Sequence, residues 1–353
     1  MEYMNDIHDS LQNINENNIE YVDLFDYPEL FYGTLNFSSN KLNFCKFPKE
    51  TQEEMGKFGP GAVHEMKNLN SSACGVRLRF KTNSERIIFK VKFNRKWSYL
   101  KMVNWGSMGF DVYKIINDKY YHRTVFAPTN GKDTFAEIIY ENPNSELCIF
   151  LPNYNKIEEF YMGIEKGSTI EKVDYPKNNK LPIVFYGNSV TQGAAASRSG
   201  NSFPNYVSKM LNRDIINISC SSCCQGNESI ADLIGKLNCH TIILDFTRNA
   251  NTTEYFKETH EKFYKNIRKY HPDIKIILMT SESFNHWFEY YDFDKIVYET
   301  YTNAIENDEN VEIVDVRKLF DESEYDLIAI DASHYTDYGM YVVAKKLCEL
   351  IEK

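Results

Sequence analysis

Ser189 stands where an apolar run breaks into a turn, in Leu181-Pro-Ile-Val-Phe-Tyr-Gly-Asn-Ser189-Val-Thr-Gln-Gly193. A serine hydroxyl becomes a nucleophile only beside a base, and a candidate base lies far downstream in Asp331-Ala-Ser-His334. An aspartate three residues before a histidine can accept the imidazole Nδ1 hydrogen, which fixes the tautomer and leaves Nε2 facing a hydroxyl. Ser189, His334 and Asp331 would then form a triad for acyl transfer. That chemistry also needs hydrogen-bond donors aimed at a tetrahedral oxyanion. The backbone amides of Ser189 and Ser222 and the side-chain amide of Asn249, in Thr247-Arg-Asn249, could supply three. Each piece has a plainer reading: residues that cap turns, a surface histidine, an ordinary turn asparagine. The joint pattern is stronger than its parts.

Distant segments must meet for such a set to work. Ile183 to Tyr186 is a continuous apolar run ended by Gly187, the pattern of a buried parallel strand. Further apolar runs follow at Ile215 to Cys220, Thr241 to Phe246, Ile274 to Met279 and Val311 to Val316. Helical stretches intervene or close the series: Pro204 to Leu211, Ser229 to Leu237, Tyr255 to Tyr270, Asp294 to Ile305 and Tyr338 to Ile351. This βαβ series predicts a three-layer, doubly wound, flavodoxin-like α/β domain over residues 179–353, with strand carboxyl ends converging on one rim. Ser189, the loop Ser219 to Asn227, Asn249 and His334 all fall there.

The first part, residues 1–178, reads differently. Short segments rich in Val, Ile, Phe and Tyr recur at Phe31 to Phe37, Gly75 to Lys81, Arg86 to Phe93, Phe110 to Ile116, Tyr120 to Ala127, Phe135 to Tyr140 and Leu147 to Leu151. Val76-Arg-Leu-Arg-Phe-Lys81 alternates apolar and charged residues, the mark of strands with one wet face. Helical periodicity is absent. An antiparallel β-sandwich of jelly-roll type is predicted, structural in role or binding a sugar. The boundary is placed in the polar stretch before Leu181-Pro182, where the pattern changes.

Composition excludes several classes. A formal net charge of -10 and no Lys/Arg-rich run argue against nucleic-acid or anionic-membrane partners. The start, Met1-Glu-Tyr-Met-Asn-Asp-Ile-His, lacks the basic and apolar regions of a secretory signal, so a cytoplasmic protein is expected. No window approaches the roughly 18 apolar residues of a spanning helix. The eight cysteines then read as free thiols. Cys220-Ser-Ser-Cys223-Cys224 resembles metal-ligand spacing, but a structural zinc wants two separated ligand pairs and only Cys239 and His240 lie nearby. No metal or cofactor is expected.

The second part resembles the SGNH hydrolases, the GDSL-type lipase and esterase superfamily. Gly187-Asn-Ser189-Val-Thr-Gln-Gly193 is similar to the family's G-D-S-[IL]-[TS]-x-G block, with Asn188 in place of the usual Asp. Asn249 matches the oxyanion asparagine block and Asp331-x-x-His334 the terminal D-x-x-H block. The resemblance implies Ser189 as nucleophile, His334 as base, Asp331 as its orienter and Asn249 as oxyanion donor. The block that normally supplies a glycine amide aligns near Ser222. A two-domain subgroup with an N-terminal sandwich is also similar: Gly109-Phe-Asp-Val-Tyr113 resembles its G-x-D-L-Y signature, and Ser197-Arg-Ser-Gly-Asn-Ser202 the segment trailing its nucleophile.

The expectation is a metal-independent serine esterase acting on small acyl esters, most plausibly acetyl esters of a sugar or another hydroxylated small molecule. An acyltransferase using the same triad and a disabled carbohydrate-binding protein are the alternatives. Asn188 and Arg198 are expected as polar substrate contacts, Phe284 and Trp287 as acyl-pocket walls. His64 and His286 could line the cleft but read more simply as surface or packing residues.

Overall fold

The computed structural model describes residues 16–35, 41–94, 102–128, 133–284 and 291–353. The first strands in chain order are β1 (Ile19–Asp23), β2 (Phe31–Tyr32), β3 (Arg77–Thr82), β4 (Arg86–Phe93), β5 (Phe110–Ile116), β6 (Lys119–Phe126), β7 (Thr134–Tyr140), β8 (Glu146–Phe150), β9 (Ile157–Glu165) and β10 (Ile170–Lys172). They form two antiparallel sheets, ordered β1-β9-β4-β7 and β10-β3-β8-β5-β6, with β2 paired to β3. Alternate side chains of both sheets meet in one core rich in phenylalanine, including Phe80, Phe89, Phe110, Phe126 and Phe160. Phe110 and Phe126 stack with ring centroids 5.0 Å apart.

Two helices, Lys49–Met55 and Pro60–Leu69, correct the expectation that helical structure is absent from this part. Their sequences are mostly polar, so no apolar stripe announces them. Met55, Met66 and Leu69 are fully buried, not in the sandwich but in a cluster shared with the α/β part. The Thr51 and Ser229 hydroxyls, 2.8 Å apart, fasten the same contact. Docking, more than propensity, holds these helices.

The remaining strands are β11 (Ile183–Gly187), β12 (Ile215–Asn217), β13 (Thr241–Asp245), β14 (Lys275–Met279) and β15 (Val311–Val314). They build a parallel sheet ordered β12-β11-β13-β14-β15. Both faces are covered, which is why these strands read as unbroken apolar runs. Val184 and Tyr186 point to a layer containing Ile230, Phe256 and Phe263, whereas Ile183 and Phe185 point to one containing Phe203, Val207, Met340 and Val343. Helices Glu228–Lys236, Thr253–Tyr270 and Tyr291–Glu306 lie on the first side, Phe203–Leu211 and Asp337–Glu352 on the second. Strand order reverses at β11, so its carboxyl end opens a crevice between its neighbours. Ser189 follows that end.

The outer face of strands β3, β8 and β5 packs against the α/β part and is buried. Arg77 and Arg79, which suggested a solvated strand face, are buried there. Arg77 pairs with Asp214, and the Arg79 guanidinium lies 3.8 Å from the Tyr175 ring centroid. Strand alternation is real, but its polar side meets the α/β part.

Candidate active site

Ser189 begins the four-residue helix Ser189–Gln192 directly after β11. Asn188 caps that helix, its Oδ1 accepting the Val190 amide hydrogen at 2.7 Å. Gly193 ends it at φ +107°, and a Cβ there would strike the Asn153 side chain, so glycine is required. The turn holds Ser189 half-buried, with its hydroxyl 2.9 Å from His334 Nε2.

His334 arrives from the loop before helix Asp337–Glu352. Its Nδ1 lies 2.9 Å from Asp331 Oδ2 and 3.1 Å from Oδ1. Asp331 Oδ1 also accepts the backbone amides of Ser333 and His334, both at 2.9 Å. The three-residue spacing therefore closes a compact turn in which the carboxylate grips both the loop and the ring. Phe284 supports it: its amide donates to Ala332 O at 2.9 Å, and its ring packs on Phe320, Tyr325 and Tyr335.

Asn249 and Ser222 face the same strand ends. Asn249 Oδ1 accepts the Cys224 amide at 3.2 Å, which leaves Nδ2 as the donor end, without a partner among the described residues. Ser222 is exposed and left-handed at φ +59°, a conformation that favours glycine. The backbone N–H groups of Ser189 and Ser222 likewise make no hydrogen bond among the described residues.

Next to Ser189 lies a polar layer that the sequence did not announce. Asn188 Nδ2 donates to Glu282 Oε1 at 2.8 Å, and Thr191 Oγ1 to Asp245 Oδ2 at 2.5 Å. Burial, then the nearby Asp245, pushes the Glu282 carboxyl up to about 8, while burial raises Asp245 to about 6. Glu282 Oε2 and Asp245 Oδ1 are buried without a hydrogen-bond donor among the described residues.

A model of the GDSL-like lipase/acylhydrolase family matches residues 180–352, and one for the GxDLY N-terminus of SGNH-hydrolase-type esterases matches residues 19–170. The chain belongs to the GDSL-like lipase/acylhydrolase family. Solved structures with the same fold include a Bacteroides ovatus protein described as a GDSL-like lipase, 21% identical with a TM-score of 0.78, covering 95% of this chain and 98% of that one. Another is a salicylyl-acyltransferase from a tetracycline biosynthetic pathway, 17% identical, TM-score 0.76, covering 95% and 97%. A third is a family two carbohydrate esterase from Clostridium thermocellum in complex with cellohexaose, 13% identical, TM-score 0.54, covering 80% and 93%. No curated protein sequence matches the chain.

Of the four residues expected to contact substrate in this GDSL-family chain, three lie among the described residues. Asn188 is buried, and its side chain is engaged by the helix cap and by Glu282. Arg198 fastens the two halves: its Nη1 donates to Asp111 Oδ1 at 3.1 Å and its Nη2 to Asn201 Oδ1 at 3.2 Å. Asp111, from the GxDLY motif, is fully buried and also accepts from the Gly200 amide at 3.1 Å and Tyr113 OH at 3.2 Å. Phe284 is a core buttress, and Trp287 and His286 lie outside the described residues. His64 is exposed on helix Pro60–Leu69.

Tyr154 was missed, since nothing in Leu151-Pro-Asn-Tyr-Asn155 marks it. Its hydroxyl donates to Ser189 O at 3.3 Å and meets Ser221 Oγ at 2.7 Å. Gln192 completes the brace: its Oε1 accepts the Ser221 amide at 2.7 Å and its Nε2 donates to Asn153 O at 3.0 Å.

All eight cysteines are free thiols. Among the described residues no cluster of His, Cys, Asp and Glu is arranged for a metal, and no helix is long and apolar enough to cross a membrane.

Proposed function

We propose that the chain is a serine esterase that hydrolyses small acyl esters, acetyl esters of carbohydrates first among them. The observation that carries this reading is the continuous line from Ser189 Oγ through His334 to Asp331, each step 2.9 Å. His334 Nε2 takes the Ser189 proton as the oxygen attacks the ester carbonyl. The oxyanion rests on the Ser189 and Ser222 amides and Asn249 Nδ2, and Asp331 stabilises the imidazolium. Collapse expels the alcohol, which receives the proton from His334. Water, deprotonated by the same ring, then attacks the acyl-enzyme and releases the acid.

The carbohydrate substrate is supported by the shared fold with an esterase bound to cellohexaose. A second reading, transfer of the acyl group to an acceptor alcohol in place of water, draws on the shared fold with a salicylyl-acyltransferase. Hydrolysis of p-nitrophenyl acetate, butyrate and octanoate by wild type beside Ser189→Ala tests the first. Turnover lost in the variant and falling with chain length is expected; equal rates in both proteins sink it. Adding acceptor alcohols and analysing products separates hydrolysis from transfer.

A further inference from the structure

We propose that Glu282 is a positioning residue of the Ser189 site, the buried group through which the Ser189 turn, the Asn249 turn and the Asp331–His334 loop are held together. The proposal rests on the esterase reading above. Glu282 follows β14 and is 1% exposed. Burying a carboxyl is costly, and groups buried at that cost cluster at functional sites.

Three segments meet around this residue. Asn188 Nδ2 donates to Glu282 Oε1 at 2.8 Å, while Asn188 Oδ1 caps the helix that Ser189 begins. Arg248 Nη1 donates to the Glu282 carbonyl at 3.0 Å, and its Nε lies 3.7 Å from Oε1. Asn249, the proposed oxyanion donor, is the next residue in the chain. Just beyond Glu282, the Phe284 amide donates to Ala332 O at 2.9 Å, inside the Asp331–His334 loop.

The link to Ser189 depends on the side chain at 188. An ionised aspartate there could cap the helix but has no hydrogen to donate to Glu282. The backbone on each side is anchored separately: the Asn188 amide donates to Asp245 O at 2.9 Å, and the Ser281 amide to Asp294 Oδ1 at 2.8 Å. With those ends fixed, the Asn188–Glu282 bond sets how the Ser189 turn sits between them. Reacting groups need to be held to within about 0.5 Å, so a turn released by more loses rate before it loses substrate binding.

Among the described residues, the charged and titratable groups facing Glu282 are Asp245 from β13, Arg248 from the turn after it and Tyr335 from the segment following His334. Burial, then Asp245, keep the Glu282 carboxyl protonated up to about 8. Once ionised, it sets a negative charge beside two turns that carry oxyanion donors, opposing the charge that develops in the transition state.

The test measures kcat and KM for p-nitrophenyl acetate from pH 6 to pH 9 in wild type, Glu282→Ala and Glu282→Gln, with Ser189→Ala as the blank and melting temperatures as a folding check. Glu282→Ala is expected to lower kcat about thirtyfold at pH 7 with KM within about twofold of wild type. Glu282→Gln, whose Oε1 still accepts the Asn188 bond, is expected to recover most of that loss. Wild-type kcat is expected to fall about threefold between pH 7 and pH 9, and that of Glu282→Gln to stay level. A folded Glu282→Ala with kcat within about threefold of wild type, or a Glu282→Gln as slow as Glu282→Ala, overturns the positioning role while Ser189-dependent turnover leaves the esterase reading standing. If Glu282→Ala does not fold, the alkaline limb decides, and the same pH profile in wild type and Glu282→Gln overturns the role. No Ser189-dependent turnover in wild type overturns both readings.

Discussion

Tyr154, in the antiparallel half, donates its hydroxyl to the carbonyl oxygen of Ser189 at 3.3 Å and receives one from Ser221. One phenol thus braces the Ser189 turn and the loop bearing Ser222. Tyr154→Phe removes both bonds and is expected to lower kcat for p-nitrophenyl acetate by about tenfold, with a smaller change in KM. A change confined to KM would argue against a bracing role.

The triad reading makes its own demand. Ser189→Ala and His334→Ala are each expected to cost at least about a thousandfold in kcat, and the double variant little more than either alone. Asp331→Asn removes the acceptor that sets the ring's tautomer, with an expected loss on the order of 10⁴-fold. Multiplicative losses in the double variant, measured by single-turnover kinetics, would contradict a shared unit.

Glu282 ties stability to pH. Folded, it keeps its proton up to about 8, whereas its ordinary value is 4.5. Between those values the folded state carries an extra proton, so stability falls as pH rises across the window and levels off above it. Burial and then Asp245 oppose its ionisation, and Arg248 favours it. Glu282→Gln keeps the bond from Asn188 and removes the titration. Its melting temperature relative to wild type is expected to gain at least about 3 °C between pH 5 and pH 8. A constant gap across pH would refute the proton-holding assignment.

Asp111 joins the halves. It accepts from Arg198, Gly200 and Tyr113, and His122 Nε2 lies 3.0 Å away. Asp111→Ala strands these donors and is expected to destabilise the protein by about 3 kcal/mol or more in urea unfolding. Arg198→Lys, which loses the fork geometry, is expected to cost less stability and to leave KM for p-nitrophenyl acetate unchanged. A raised KM would restore Arg198 as a substrate contact.

Ser222 occupies a left-handed position, and its amide is one of the proposed oxyanion donors. Ser222→Gly relieves about 1 kcal/mol of backbone strain and removes the side chain. A higher octanoate-to-acetate rate ratio is expected; an unchanged ratio would place the acyl-size limit elsewhere.

Much of this was legible in the chain. Parallel strands buried on both faces must be apolar throughout, so β11 to β15 stand out, and the glycine after Tyr186 marks where the nucleophile turn begins. The Asp331–His334 pair is local, closed by a three-residue spacing that needs no tertiary information. Polar helices such as Lys49–Met55 were illegible, because a helix that docks by one or two residues carries no periodic stripe. Strand β9 runs through the middle of its sheet, yet Glu158, Glu159 and Gly163 break its apolar pattern.

By itself the sequence determined the two-part division of strand patterns, the rim formed by the parallel strands' carboxyl ends, and the local pairing of Asp331 with His334. Local periodicity and short spacings encode all of that. Only the tertiary structure decided that Arg77, Arg79 and Arg198 fasten one half to the other, that Asn188 is spent on Glu282, and that Tyr154 reaches Ser189. Each is a contact between residues distant in sequence, and a side chain's type does not say which distant partner satisfies it.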